Sequence, residues 1–195
     1  MKKHGSYTAF VLCLVGVFAL AGVLTVWAQS GREAFTALAK WKSPSGEEKK
    51  ARLTIVIERY TTDAERQQAI DALKSGGTTA LQKVLEKMPA TGYIQINDLS
   101  RSAVRFTRSL DMAGGRLITL ITDRPLGFIG GAEPGAKDKA GYEVGYVSLE
   151  VKTGKVGQGD AAPAVKLKLS DEGAVSVEDY GGREVWLSEV QAVKP

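Results

Sequence analysis

From Tyr93 onward the chain alternates apolar and polar residues in short runs, and glycine-bearing turns break them about every ten residues. Ile94 and Ile96 alternate with polar neighbours, Val104 and Phe106 with Arg105 and Thr107, and Val165, Leu167 and Leu169 with Lys166 and Lys168. The turns fall at Met112-Ala113-Gly114-Gly115, Thr153-Gly154, Asp171-Glu172-Gly173 and Tyr180-Gly181-Gly182. A period of two places one face of each run in a core and the other in water, which is the pattern of antiparallel strands. Two earlier runs read the same way, Phe35, Ala37, Ala39 and Trp41, then Leu53, Ile55 and Ile57, joined by a polar bridge from Lys42 to Lys50. Arg116 to Thr122 is apolar on both faces, so it reads as a covered, central strand. Together these runs predict about eight to ten strands. A meander of that size has two edges to protect, and curling or closing protects them.

A helical signal interrupts the strands. Thr62-Asp63-Ala64-Glu65 is a capping box, in which the Thr hydroxyl accepts from the N3 amide and the Glu reaches back. Ala69, Ile70 and Leu73 share a face, and Ser75-Gly76-Gly77 reads as a stop. Leu81, Val84, Leu85 and Met88 form a second stripe that ends at Pro89. The expected fold is therefore α+β. It is an antiparallel β barrel or strongly curled sheet, with a helical hairpin inserted over residues 62–88 or so.

The N-terminus reads as a targeting segment. Lys2, Lys3 and His4 precede an apolar stretch from Ala9 to Ala28, and Val26-Trp27-Ala28 gives a small-residue exit before Gln29. The expectation is a signal peptide over 1–28 and a single domain over 29–195, exported to the periplasm or secreted. The apolar stretch is also long enough to span a bilayer, so an uncleaved inner-membrane anchor is the alternative.

That division decides which chemistry the domain can run. The only Cys is Cys13 and the only His is His4. The domain from residue 29 onward has neither, so it has no disulfide, no imidazole or thiolate metal ligand, and no Ser-His or Cys-His nucleophile. No metal or cofactor is expected. Without Lys2 and Lys3, 24 of the 26 basic side chains remain against 22 acidic ones, too even a balance to attract nucleic acid. Membrane contact is expected only through an uncleaved N-terminus.

Motifs that carry chemistry elsewhere read as turns here. Lys152-Thr153-Gly154 matches one element of penicillin-binding enzymes, yet no Ser has a Lys three residues later. Gly157-Gln158-Gly159-Asp160 and Gly130-Gly131 fit no phosphate-binding pattern and read as turns or bulges. Carboxylates are the remaining acid–base groups, with Glu58, Asp63, Glu65, Asp98, Asp111, Asp123 and Glu150 among them, and no spacing selects a pair.

One stretch lacks periodicity, from Arg124 to Gly141, rich in glycine and carrying Pro125 and Pro134. Long loops in compact domains are usually functional or disordered. Leu126, Phe128 and Ile129 give its first half an apolar character that predicts folding over the sheet. Asp123 and Arg124, which close the preceding strand, form either a local salt bridge or the polar contact of a ligand mouth. Asp123, Arg124, Leu126 and Phe128 are the candidate mouth.

Four segments resemble a group of exported bacterial proteins of uncharacterised function: Ile57 to Arg66, Gly92-Tyr93-Ile94, Thr122-Asp123-Arg124-Pro125 and Val177-Glu178-Asp179-Tyr180. The resemblance implies export and a mixed helix–strand domain and supplies no activity. The leading expectation is a non-catalytic exported module that binds a small apolar ligand, a lipid or a protein partner. The alternatives are an envelope hydrolase using paired carboxylates and a membrane-tethered structural or assembly accessory protein.

Overall fold

A computed structural model describes residues 31–43, 45–126, 140–170, 174–181 and 184–194. The expected signal segment, Phe128 and Ile129 lie outside these residues. The described chain forms β1 (Glu33–Lys42), β2 (Glu48–Ile57), α1 (Asp63–Leu85), β3 (Gly92–Ile96), β4 (Ser102–Met112), β5 (Gly115–Thr122), β6 (Val144–Lys152), β7 (Gly157–Leu169), β8 (Val175–Tyr180) and β9 (Val185–Val193).

Every strand pairing is antiparallel. Strands β1 to β6 pair in chain order, β7 joins β6 to β9, and β9 returns to β1. Eight strands thus close a barrel and leave it no open edge. The strand β8 stands outside the ring, because β7 leaves the barrel wall partway along its length. Its first half, Gly157 to Ala161, pairs with β9, whereas Val165 to Leu169 pairs with β8. Pro163 lies between the two halves, where a residue without an amide hydrogen is tolerated because the pairing with β6 shifts register there.

The barrel is solid. Its inward positions are the apolar members of the alternating runs, including Phe35, Leu53, Ile55, Ile94, Ile118 and Leu120, all fully buried in one cluster. Ala37, Ala39 and Ala161 fill narrower places. An interior closed by eight strands is just wide enough for such side chains. Each large one stabilises the fold by about 1.5–3 kcal/mol.

A polar group closes the end of the barrel at which β5 begins. Arg116 Nη1 donates to Glu33 Oε1 at 3.2 Å and to the Tyr60 hydroxyl at 3.0 Å, Arg116 Nη2 pairs with Glu33 Oε2, and Tyr60 donates to Glu33 Oε1 at 3.0 Å. The guanidinium also stands 5.9 Å from the Phe35 ring centroid. Burial, then the Glu33 charge, pushes the Tyr60 phenol up to about 12. An unfolded tyrosine ionises near 10. The fold therefore holds a proton that the unfolded chain releases, and stability falls as pH rises from about 10 to 12. Unscreened, that difference is worth about 2.7 kcal/mol, and screening at this half-buried ring lowers the expected loss to about 1–2 kcal/mol. Urea titrations across that range should show it in the parent and a flatter profile in Tyr60→Phe. Equal slopes in the two proteins would contradict the assignment.

The expected helical hairpin is corrected to a single helix, α1, bent within itself. Gly76 (φ −152°, ψ 19°) and Gly77 (φ 65°, ψ −157°) leave the helical region, and the positive φ is one that only glycine adopts freely. The sequence signal for a stop was genuine, but two residues suffice for the bend and no separate loop is inserted. Arg59 measures how sharp the bend is: its guanidinium donates to Glu65 at 2.8 and 2.9 Å and to the Pro89 carbonyl at 3.0 Å. A straight helix of 23 residues would hold its ends about 34 Å apart. The capping box is present as expected, Glu65 N donating to Thr62 Oγ1 and Thr62 N to Glu65 Oε2. The Arg59 hydrogen bond, with those from Thr62, lowers the Glu65 carboxyl to about 2.

Both halves of α1 lie on the outer face of the barrel wall. Ala69, Leu73, Leu81 and Leu85 pack with Phe106, Ile121, Val144, Val165 and Leu167 in a second core. Thr78, just after the bend, locks this docking: its hydroxyl accepts from Leu167 N at 2.7 Å.

Candidate functional site

Of the candidate mouth residues the structure describes Asp123, Arg124 and Leu126, while Phe128 lies outside the described residues. Asp123 is buried and pairs with Arg105 Nε at 2.8 Å, not with its neighbour Arg124. Arg105 Nη1 also donates to the Met88 carbonyl at 3.0 Å, so this ion pair ties the end of the helical segment to the barrel. The Arg124 side chain is exposed, and its carbonyl accepts from Thr122 Oγ1 at 2.5 Å. Leu126 is fully buried in the barrel core. Its amide donates to the Pro163 carbonyl at 2.7 Å, and it occupies space left by Gly145, where a Cβ would lie 2.7 Å from Leu126 Cγ. Leu126 plugs the barrel end at which β5 finishes.

The clearest concavity with an apolar floor lies outside the barrel. Several outward positions of β4 and β5 are apolar as well as the inward ones of the core. Phe106 and Ile121 are covered by α1, whereas Leu110 and Leu117, directly opposite each other, are not, and Leu110 is 58% exposed. Arg66 and Ile70 of α1 form one wall, and Ala174 and Val175 at the start of β8 another. The cleft so enclosed measures about 330 Å³, within the range of small-molecule sites. Arg66, Arg108, Thr119 and Tyr146 supply its polar groups, and among the described residues no carboxylate lines it. Arg108 sits 3.6 Å from Asp63, a pair that is largely solvated and so contributes little. Among the described residues no carboxylate pairs with Arg66.

A larger groove, about 750 Å³, runs between the two halves of α1 over Ala72, Val84 and Met88. Its walls mix Asp71 with Lys83 and Lys87, so it offers balanced, long, solvated side chains and little to orient a ligand. The described lining of the 330 Å³ cleft has one sign of charge on an apolar floor, which gives a ligand both a direction and a surface.

Of the carboxylates, Asp160 is pushed up, by burial first and then by the charges of Glu184 and Glu150. Its Oδ1 is buried without a hydrogen-bond partner, and it stands opposite the exposed Trp186 on the outer wall. Asp160 lines none of the clefts described above, so nothing seats a substrate against it. Among the described residues no group of three or more acidic, His or Cys side chains could hold a metal ion, and no helix is long and apolar enough to cross a membrane.

The sequence reading did not single out Arg108, Leu110 or Leu117, and it took Ile70 only as a helix-face residue and Arg66 only as the end of a resembling segment. The available signal was the two-faced apolar character of residues 116–122, which requires something to cover the outer face. No protein-family model matches the chain, and neither does any curated protein or solved structure.

Proposed function

We propose that the chain is an exported, non-catalytic module that binds a small apolar ligand in the cleft between α1 and the outer face of β4 and β5. The observation that carries the reading is the uncovered Leu110–Leu117 pair at the floor of a walled cleft, beside a wall that α1 otherwise covers. A ligand inside the barrel is the usual use of this architecture, but here side chains fill that space. Export rests on the basic start, apolar stretch and small-residue exit of residues 1–28.

The neutral fluorophore N-phenylnaphthylamine, titrated into the purified chain, should bind saturably with enhanced emission. Ala174→Trp, which places an indole in the cleft from an exposed position, should weaken that binding by about tenfold, the scale of losing about 1.4 kcal/mol of apolar contact. Its thermal midpoint should stay that of the parent. No saturable binding by the parent, or unchanged binding in the variant, would contradict the reading.

A further inference from the structure

We infer that the ligand of this cleft is a single-chain anionic amphiphile of the fatty-acid type, its carboxylate held by Arg66 and Arg108 and its chain laid over Leu110 and Leu117. The inference rests on the apolar-ligand reading above and adds the charge and the class of head group.

Both cations stand where folding alone gives little reason for them. Arg108 lies in β4 on the same face as Phe106 and Leu110, a charged group in an otherwise apolar row. Its position across the sheet is Thr119, which offers no countercharge. Its one ion pair, to Asp63, is long, and that carboxylate is 95% exposed. Arg66 lies in the opening turn of α1, the end of a helix that favours anions over cations. Neither guanidinium has a close, buried countercharge among the described residues, and departures from local rules collect at functional positions.

The two guanidiniums belong to different elements, and the same cleft is lined by both. Guanidinium is the side-chain group best matched to a carboxylate, through paired and charge-assisted hydrogen bonds. Its weak hydration suits it to an edge that is half apolar. Among the described residues the lining carries two guanidiniums and no carboxylate, and the Asp63 carboxylate near Arg108 is solvated, so the cleft favours an entering anion. The polar groups Thr119 and Tyr146 add possible donors for the second carboxylate oxygen. The volume, about 330 Å³, is at the small end of ligand sites and suits one hydrocarbon chain better than the two of a membrane phospholipid.

The test compares dodecanoate with dodecan-1-ol as competitors of N-phenylnaphthylamine on the purified full chain at low salt. The two share a tail and differ in the head. Dodecanoate should displace the fluorophore at about tenfold lower concentration, the scale of one or two charge-assisted bonds at a partly solvated site. The double variant Arg66→Gln with Arg108→Gln should bring dodecanoate to the level of dodecan-1-ol and leave dodecan-1-ol unchanged. High salt should shrink the preference in the parent. Equal displacement by both competitors in the parent overturns the inference while the apolar cleft stands. Failure of the fluorophore and both competitors to bind removes the cleft reading itself. Co-sedimentation with phosphatidylglycerol vesicles while dodecanoate fails to compete would assign the arginines to a membrane surface, and that also overturns the inference.

Discussion

Gly159→Val is expected to leave the protein unfolded, although valine is by far the better strand former. Gly159 lies in β7, opposite Leu149 of β6 and Leu187 of β9. A Cβ there would stand 2.1 Å from the Ser148 carbonyl oxygen and 3.2 Å from Leu149 Cα. Carbon atoms in contact keep about 3.5–4 Å apart. The obstacle is backbone, so no rotamer change relieves it, and β6 would have to leave β7 at the seam that closes the barrel. Losses above about 4–5 kcal/mol arise from this kind of mechanism and approach the whole stability of an ordinary domain. Gln158→Val is the control, since it adds the same side chain one position away on the exposed face. It should shift stability by no more than about 0.5 kcal/mol. Far-ultraviolet circular dichroism with urea unfolding reads both. A cooperative transition for Gly159→Val within about 1 kcal/mol of the parent would contradict the close approach.

Leu126→Ala should cost about 2–5 kcal/mol, the range for truncating a buried leucine in a core that relaxes only partly. Leu126 has no exposed surface, packs with the barrel interior and is held by its amide bond to Pro163. A lid over a ligand mouth would behave otherwise: truncation would spare stability and change affinity. The plug assignment predicts the reverse, a lower urea midpoint with N-phenylnaphthylamine affinity unchanged once the protein is kept folded. Unchanged stability with altered affinity would return Leu126 to the role its sequence position suggests.

The barrel was legible because its information is local. Phe35, Ala37 and Ala39, or Leu53, Ile55 and Ile57, display their period within a few residues, and the need to protect two edges follows from strand number alone. The capping box at Thr62 and Glu65 was readable for the same reason. The bend in α1 was not, since Gly76-Gly77 terminates a helix or kinks it with the same two residues, and only packing on the sheet decides. Gly157-Gln158-Gly159-Asp160, read as a turn or bulge, begins β7 and carries a register shift against β9.

The candidate site was less legible because its contacts are distant in sequence. Asp123 has an arginine beside it at 124, but its partner is Arg105, brought there by the β4–β5 pairing. The cleft draws on α1, β4, β5, β6 and the start of β8, and no short window contains its pattern. What the sequence did carry was the doubly apolar strand β5, a demand for cover on both faces that α1 meets at Ile121, beside Phe106 of β4, but not at Leu117.

Methyl-resolved nuclear magnetic resonance during titration with N-phenylnaphthylamine would separate an outer-wall cleft from a hollow lumen in one experiment. The account predicts shifts at Ile70, Leu110, Leu117 and Val175, with Ile55, Ile94 and Leu120 unmoved. Shifts at the second set with the first set still would mean that the barrel interior opens to admit ligand, and would contradict it.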